Sequence, residues 1–360
     1  MKNSKIFSIN GRKIGPDFPP YIVAEMSGNH NQSIEKAFKL INKAKESGAD
    51  AIKIQTFTPD TITINHNSPE FFVKGGIWDG RKLYDLYEEA HTPWDWHKKL
   101  FEYAKNVGIT IFSSPFDNTA IDFLESLDCP AYKIASPEIV DHELIKYAAK
   151  TQKPLIISTG MASKKEIHDS IKIARKYGSN EIIVLHCTSS YPTPFNESNL
   201  STMNEIKNSF DIMVGLSDHT EGTLVSSISV SMGAVLVEKH FTIDRKEGGI
   251  DSKFSLEPQE LKELVLHANI ATKINGKPSF MPTHSEKSVF DNRRSIYVVN
   301  NILKGEIFSN KNIKSIRPGL GLSPKYMSNV LGLSASRDLK FGEPLELSMI
   351  SEKFQTNLDD

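Results

Sequence analysis

The sequence is poor in cysteine, has no long hydrophobic run and carries almost no net charge. Its two cysteines, Cys129 and Cys187, exclude a disulfide framework and fit a reducing compartment. No stretch approaches about 18 consecutive apolar residues, and the N terminus lacks the apolar region of a secretory signal. The 43 basic and 44 acidic residues give a net charge of −1. We therefore expect a cytoplasmic protein without a nucleic-acid or membrane partner.

The length of 360 residues is enough for one large domain and one small one. Between Tyr21 and Phe241, short β-branched and aromatic segments recur, each followed by small or polar residues. Their nearly continuous apolar character is typical of buried parallel strands. The eight segments are YIVAEM, AIKIQTF, TIFSSPF, AYKIAS, PLIISTG, IIVLHC, IMVGLSD and VLVEKHF.

Helix signals alternate with these segments. Ser33 is a predicted N-cap of a helix that ends before Gly48, and Thr92 is a predicted N-cap, with a capping box to Asp95, of a helix that ends at Gly108. Eight strand and helix units predict an α/β fold, a (β/α)8 TIM barrel, rather than a doubly wound sheet. The long connection from Thr58 to Ala90 is an insertion and a candidate substrate lid.

The pattern changes near the end of the chain. A segment with proline, serine and lysine follows the barrel, and short strands and turns replace the helices after it. We predict a catalytic barrel over residues 1–275, a linker over 276–290 and a small C-terminal β-clip domain over 291–352.

Polar residues end every predicted strand, where barrel enzymes place their active sites. Lys53 and Lys133 would project into the barrel mouth among hydroxyl groups, an arrangement suited to a phosphate or carboxylate. Two other interpretations stay open. One lysine could form a Schiff base with a substrate, or both could form ion pairs with Glu25 and Glu138.

His219 and His240 end the last two predicted strands, so they could converge on one divalent metal ion that polarises a carbonyl. Alternatively, each is a hydrogen-bonded core histidine or a proton carrier. Glu25, Glu138 and Asp251 could bind sugar hydroxyls or move protons. Arg317 lies in a predicted turn beside Pro318, from which it could also reach a site.

Eight sequence blocks occur in this order along the chain: AEMSGNHN, KIQTF, SSPFD, YKIAS, STGM, HCTSSYPTP, GLSDHT and EKHFT. Together they resemble the sialic acid synthase family, and the IRPGLGL segment resembles that family's C-terminal antifreeze-protein-like (SAF) domain. The insertion GGIWDGRKLYDLYEEAHTPWDWH is more similar to the pseudaminic acid synthase branch than to the sialic or legionaminic branches. Ser189 and Pro137 depart from the residues usual in the sialic acid branch, asparagine and glycine.

The resemblance implies condensation of phosphoenolpyruvate with an amino-sugar aldehyde, with Mn²⁺ or Mg²⁺ as cofactor. It implies that His219 and His240 bind the metal, that Glu25, Glu138 and Asp251 handle protons or the sugar, and that Arg317 reaches the partner's site in a domain-swapped homodimer. The positions it assigns to phosphoenolpyruvate binding are Lys53, Ser114, Lys133, Ser136, Ser158, Ser189 and Ser217.

For the pseudaminic branch, the implied sugar is 2,4-diacetamido-2,4,6-trideoxy-altrose. The alternatives within the family are N-acetylneuraminate synthesis from N-acetylmannosamine and legionaminate synthesis from its 2,4-diacetamido-6-deoxy analogue. Outside the family, we consider a metal-free Schiff-base aldolase and a non-catalytic glycan-binding protein.

Overall fold

The structure is a computed structural model and describes residues 7–352. The chain divides between Gly276 and Lys277 into two compact units. The first unit opens with an antiparallel hairpin of β1 (Phe7–Ile9) and β2 (Arg12–Ile14). No helix within residues 7–352 is long and apolar enough to cross a membrane.

Eight parallel strands follow and close into a barrel in which the last strand pairs with the first. The predicted TIM barrel is therefore confirmed, with all eight predicted strands in place. Most strand residues are buried on both faces, as expected for a sheet surrounded by helices. The strands are β3 (Tyr21–Glu25), β4 (Ala51–Thr56), β5 (Thr110–Pro115), β6 (Tyr132–Ile134), β7 (Leu155–Ser158), β8 (Ile182–Cys187), β9 (Met213–Asp218) and β10 (Leu236–His240).

In the described part of this unit, ten α-helices bury apolar faces against the barrel or lie in its loops. They are α1 (Ile34–Glu46), α2 (Pro59–Ile62), α3 (Leu83–Ala90), α4 (Trp94–Val107), α5 (Asn118–Glu125), α6 (His142–Lys150), α7 (Lys164–Lys176), α8 (Ser201–Phe210), α9 (Leu224–Ser231) and α10 (Pro258–Ile274).

The helix caps agree with the sequence at α1 and differ at α4. Ser33 caps α1 by accepting a hydrogen bond from the backbone of Lys36. The predicted capping box of Thr92 is wrong, because Pro93 occupies the N-cap position of α4 and no side chain caps the helix there. The Thr92 hydroxyl lies instead 3.4 Å from Nε2 of His30.

Strand register brings polar side chains together at the barrel mouth. Glu25 at the end of β3 lies opposite Lys53 of β4 on one side and His240 of β10 on the other. Ser217 of β9 lies opposite Glu238 of β10. Because alternate residues of a strand share a face, Glu238 and His240 project to the same side.

Lys239, between them, projects to the opposite face and is completely buried. Its ammonium group lies 2.9 Å from the Asp218 carboxylate and donates a second hydrogen bond to the carbonyl of Thr220. Asp218 also accepts hydrogen bonds from the Thr220 amide and the Ser226 hydroxyl of α9. This ion pair therefore connects the chain on both sides of His219 to the residue before His240.

The second unit is a small β domain with its own apolar core. Strands β11 (Ser295–Val298) and β12 (Ile313–Ile316) pair antiparallel, and a one-turn helix, α11 (Met327–Val330), follows. Gly321 is packed so closely that a Cβ atom there would lie 2.7 Å from the carbonyl oxygen of Ile296. The apolar core of this second unit includes Ile296, Val298, Ile302, Phe308, Ile313, Val330, Leu339 and Leu345.

We expect Lys239→Met to lower the free energy of unfolding by about 3–5 kcal/mol, because it leaves the buried Asp218 carboxylate without its cation. Adding Asp218→Asn should recover most of the loss, since the amide carries no charge and still accepts hydrogen bonds. Urea unfolding measures both. Lys165→Met, which removes an exposed ion pair with Asp169, should barely move the midpoint. Wild-type stability in Lys239→Met would contradict this account.

Candidate active site

Four charged side chains form the floor of the barrel mouth. Lys53 Nζ lies 2.7 Å from Glu25 Oε2 and 3.8 Å from Glu238 Oε1, and Lys133 Nζ lies 2.9 Å from that same oxygen of Glu238. None of these side chains is more than 6% exposed. Glu238 therefore lies between two lysines. The structure brings the predicted Lys53 and Lys133 together through an acid that sequence reasoning had not selected as a site residue.

Pairing decides how these groups ionise. Burial opposes the charge on Glu238, but Lys133 and Lys53 outweigh it and lower its pKa to about 2. Burial likewise opposes the charge on Lys53. The attraction of the Glu238 and Glu25 carboxylates is larger than this effect of burial, so the pKa of Lys53 is raised. For Glu25, burial dominates and raises the pKa despite the contact with Lys53. Glu25 is thus the acid of this cluster best suited to exchange a proton.

Of the alternative ion pairs with Glu25 and Glu138, the structure contains the pair of Glu25 with Lys53 and places a different acid beside Lys133. Glu238 is the partner of Lys133, and Glu138 lies in the 3-10 turn Pro137–Val140 after β6. Burial raises the pKa of Glu138 to about 7, with a further contribution from Asp141. Its Oε2 atom is buried without a hydrogen-bond partner among the residues described.

The predicted hydroxyl groups lie in two sets. Ser114 accepts a hydrogen bond from Lys53 (3.2 Å), and Ser217 donates one to Glu238 (3.2 Å). Ser136 accepts one from the backbone of Gly160 (3.0 Å). Ser136 and Ser189 form the second set, both close to Gly160. A Cβ atom on Gly160 would lie 2.0 Å from the Ser189 hydroxyl, so only glycine fits there.

Ser158 and Cys187 complete this side of the mouth. The Ser158 hydroxyl is buried and has no hydrogen-bond partner within residues 7–352. The Cys187 sulfur lies 3.9 Å from the Ser189 hydroxyl and 3.8 Å from Nδ1 of His219. Burial would raise the pKa of the Cys187 thiol, but His219 and Ser136 outweigh it and lower the pKa to about 7.

The two predicted metal-binding histidines face each other with ring centroids 5.3 Å apart. Nδ1 of His219 lies 3.0 Å from the carbonyl oxygen of Thr188, so we assign a proton to that nitrogen, which leaves Nε2 free. Nδ1 of His240 is buried without a hydrogen-bond partner in the described part of the chain and lies 3.6 Å from Asp251 Oδ2. Burial, reinforced by His219, lowers the pKa of His240, which keeps its imidazole neutral.

His240 fits a divalent metal ion, because a neutral imidazole is a metal ligand and its unpartnered Nδ1 needs a partner. His219 would be the second ligand, through Nε2. Within residues 7–352, no three His, Cys, Asp or Glu side chains are arranged as a complete metal-binding set. Two histidines alone would leave positions for water or substrate oxygens.

Asp251 and Arg317 lie in different units. Asp251 follows β10, and burial raises its pKa although the Ser27 hydroxyl and the Gly28 amide hydrogen-bond to its carboxylate. Asp251 is thus brought to the histidine side of the site. Arg317 follows β12 in the second unit, where it is exposed and precedes a cis peptide bond to Pro318.

Aromatic rings form one wall beside the histidines. The Tyr191 ring lies 4.2 Å from the His219 ring, and Phe254 lies 4.9 Å from the His240 ring. Trp78, from the insertion, lies 5.4 Å from Tyr191. The insertion predicted as a lid therefore contributes a ring to the site, which supports its placement on this face of the barrel.

Sequence reasoning had also not selected Gln55 and Tyr191. Gln55 donates hydrogen bonds to Glu25 Oε1 (3.0 Å) and the Ser27 hydroxyl (3.2 Å). A usable signal existed for Gln55 and Glu238, because each lies two positions from a predicted site residue on the same strand and so shares its face. No comparable signal existed for Tyr191, which lies in a loop.

A buried charged site at the carboxyl ends of the strands of a closed (β/α)8 barrel defines the class as a barrel enzyme. Comparison with known proteins narrows the class. Residues 40–279 match the NeuB family, and residues 293–351 match the SAF domain. The chain belongs to the NeuB family, which confirms the resemblance to sialic acid synthases and the SAF domain predicted from the sequence.

Relatives and solved structures agree with this assignment. The chain is 44% identical to pseudaminic acid synthase of Campylobacter jejuni, over 91% of this chain and 95% of that protein. It is 43% identical to pseudaminic acid synthase of Helicobacter pylori, over 91% of this chain and 96% of that protein. The crystal structure of N-acetylneuraminic acid synthetase from Leptospira borgpetersenii is similar, with a TM-score of 0.71, 31% identity, and coverage of 79% of this chain and 95% of that one.

We expect Glu138→Gln to stabilise the protein at pH 8 and much less at pH 5. The folded-state pKa of about 7 lies above the ordinary 4.5, so the folded state binds the extra proton and loses stability as pH rises between these values. The full shift corresponds to about 3 kcal/mol. Urea unfolding of both proteins at the two pH values measures it.

The matched control is Glu143→Gln, in the exposed pair with Lys146. That carboxyl has a pKa lowered by its lysine, so its removal should bring no gain at pH 8. An equal change for Glu138→Gln at both pH values would contradict the prediction.

Proposed function

We propose that this chain is a pseudaminic acid synthase, which condenses phosphoenolpyruvate with 2,4-diacetamido-2,4,6-trideoxy-altrose to give pseudaminic acid and phosphate. Family membership and the two pseudaminic acid synthases at 43–44% identity support the reaction. The single observation that carries it is the juxtaposition of two buried lysines with two facing histidines at one barrel mouth. One pair suits an anionic substrate, and the other suits a metal that activates an aldehyde.

Phosphoenolpyruvate occupies the lysine side in this proposal. Lys53 and Lys133 bind its phosphate and carboxylate, and an arriving anion competes with Glu25 and Glu238 for their ammonium groups. The buried Ser158 hydroxyl, which has no partner among the described residues, gains one from a substrate oxygen. Further hydroxyl contacts come from Ser114, Ser136, Ser189 and Ser217.

His219 and His240 hold a divalent metal, Mn²⁺ or Mg²⁺, in this proposal. When bound, the metal supplies Lewis-acid polarisation of the aldehyde carbonyl. Asp251, beside His240, binds the sugar. The lysines and histidines together place C3 of phosphoenolpyruvate against the aldehyde carbon, and this fixed orientation supplies much of the acceleration.

The chemistry balances in two bond-forming steps. C3 of phosphoenolpyruvate forms the new carbon–carbon bond, the aldehyde oxygen becomes a hydroxyl by taking a proton from Glu138, and C2 becomes electron-poor. Water then adds to C2 and gives up one proton. The C2–oxygen bond to phosphate breaks with its electron pair on phosphate, the C2 hydroxyl passes its remaining proton to the departing phosphate, and C2 becomes a ketone carbonyl. Glu25 takes the proton of this water, since burial raises its pKa and makes its carboxylate a stronger base than an exposed one. Glu138, with a pKa of about 7, is a second proposed proton carrier.

A Schiff-base aldolase requires a neutral lysine nucleophile. Lys53 has a raised pKa and an acid 2.7 Å away, and Lys133 is paired with Glu238. The raised pKa favours the ammonium form of Lys53, which cannot attack a carbonyl, and the Glu238 carboxylate occupies the ammonium group of Lys133. These observations favour the condensation over the aldolase.

Phosphate release from phosphoenolpyruvate tests the function. We expect release with 2,4-diacetamido-2,4,6-trideoxy-altrose and Mn²⁺, and its loss when a chelator removes the metal. Release with the manno-configured 2,4-diacetamido-6-deoxy sugar or N-acetylmannosamine alone would instead indicate legionaminate or N-acetylneuraminate synthesis. Chelator-insensitive turnover with borohydride trapping on a lysine would overturn the proposal in favour of the aldolase.

We further propose a domain-swapped homodimer in which Arg317 reaches the partner's site, as the IRPGLG segment of the SAF domain suggests by resemblance. Mixing His240→Ala subunits with Arg317→Ala subunits should then restore part of the activity, because one of the two sites in each heterodimer is intact. Phosphate release after verified subunit exchange measures the recovery. Absence of recovery would argue against a shared site.

We place this enzyme in the cytoplasm. Cys129 and Cys187 are buried and unpaired, which is compatible with a reducing compartment.

A further inference from the structure

Trp78 belongs to the insertion and contacts the part of the site proposed to bind the sugar, here called the sugar half, which contains Asp251, the two histidines and Tyr191. One of its contacts is to the segment that carries Asp251, and the other is to Tyr191. Trp78 is half-buried and ends the short 3-10 turn Gly76–Trp78. Its indole Nε1–H donates a hydrogen bond to the carbonyl oxygen of Ile250 (3.0 Å). Its ring lies 5.4 Å from Tyr191. The two contacts lead to different elements of the site.

The first contact leads to Asp251. Ile250 precedes Asp251 in the segment 248–255, which follows the barrel's last strand. Ser255 donates a hydrogen bond to the Asp251 carbonyl (2.6 Å), and Asn29 donates one to the Ser255 hydroxyl (2.9 Å). The C-terminal end of the segment is thus tied to the loop after β3.

The beginning of the segment is tied to that same loop. Asn31 donates a hydrogen bond to the carbonyl oxygen of Gly248 (3.1 Å). Gly249 has φ +136°, and a Cβ atom there would lie 2.6 Å from Asn31 Oδ1, so the close approach requires glycine. The hydrogen bonds of Asn31 and Asn29 thus anchor the two ends of the segment. Between them, Trp78 donates its hydrogen bond to the carbonyl group of Ile250, the residue before Asp251.

The second contact leads to the histidines. The Tyr191 ring contacts both Trp78 and His219, with its centroid 5.4 Å from that of Trp78 and 4.2 Å from that of His219. Trp78 therefore contacts the ring that packs against His219. The ion pairs of Lys53 and Lys133 run to Glu25 and Glu238, without Trp78. The tryptophan accordingly belongs to the sugar half of the site and not to the anion half.

We propose that Trp78 is a positioning residue for the sugar substrate, acting through Asp251 and Tyr191. This inference rests on the proposed function. The indole N–H is already engaged by Ile250, so Trp78 orients neighbouring groups and does not supply a hydrogen bond to substrate. The insertion thereby acts on binding of the amino-sugar aldehyde and leaves binding of phosphoenolpyruvate unaffected.

Two substitutions separate the contacts. Trp78→Phe keeps a ring against Tyr191 and removes the donor to Ile250, and Trp78→Ala removes both. We expect Trp78→Phe to raise KM for the sugar about three- to tenfold, the effect of losing one hydrogen bond. Trp78→Ala should raise it further. KM for phosphoenolpyruvate should stay within about twofold of wild type in both variants.

Trp94→Phe is the matched control. Trp94 also donates its indole N–H to a backbone carbonyl, that of Phe57 (3.2 Å), and stacks on Phe123. Its substitution removes the same chemical contact from the same kind of residue outside the sugar half. It should leave KM for both substrates close to wild type. A rise in sugar KM equal to that of Trp78→Phe would overturn the proposal.

Hydrogen exchange provides a readout independent of turnover. Trp78→Phe should raise deuterium uptake in peptides covering 248–255, and Trp94→Phe should not. If wild type does not use the altrose sugar, the proposed function fails while this measurement still decides whether Trp78 holds the segment. Unchanged uptake in Trp78→Phe would overturn the proposal, as would KM values for sugar and phosphoenolpyruvate that rise together. If Trp78→Ala does not fold, Trp78→Phe decides alone.

Discussion

Two lysines and two glutamates share the interior of the barrel mouth, and the site depends on how their charges are paired. An isolated ion would be very costly in this buried position, so each charge needs a partner within hydrogen-bonding distance. Glu238 provides it for Lys133 at 2.9 Å, and Glu25 provides it for Lys53 at 2.7 Å. Burial opposes the charge on Lys53, but Glu238 and Glu25 outweigh it and raise its pKa, which keeps this lysine protonated. The site therefore holds cations ready for an anionic substrate while the fold stays stable.

A second ion pair lies on the other face of the same strands. Lys239 and Asp218 hold the backbone around His219 and His240, with Thr220 and Ser226 completing their hydrogen bonds. Strand alternation makes this division possible, because Glu238 and His240 face the interior while Lys239 faces the helices. The metal-binding pair that we propose is thus supported by charges that the substrates never contact. Precise placement of the two imidazoles follows from that buried support.

The eight strands of the barrel could be predicted from the sequence, because each strand carries a continuous apolar segment and a polar end. Sequence reasoning placed Lys53, Lys133, His219 and His240 at one rim for that reason alone. It failed at Thr92, where Pro93 took the N-cap position and the threonine hydroxyl turned to His30. A cap depends on local backbone angles that neighbouring tertiary contacts can change, so its position is less certain than that of a strand.

Ion-pair partners were harder to predict than the residues themselves. Glu138 follows the strand that carries Lys133, whereas Glu238 lies within β10, and only closure of the barrel places Glu238 beside Lys133. The contact between Trp78 and Ile250 joins loops 172 positions apart and has no local signal. By itself, the sequence determined the strands, the family and the candidate residue types, because these follow from local patterns and ordered motifs. Only the tertiary structure decided which charges pair and which loop holds Asp251, because closure of the barrel sets the distances between residues remote in the chain.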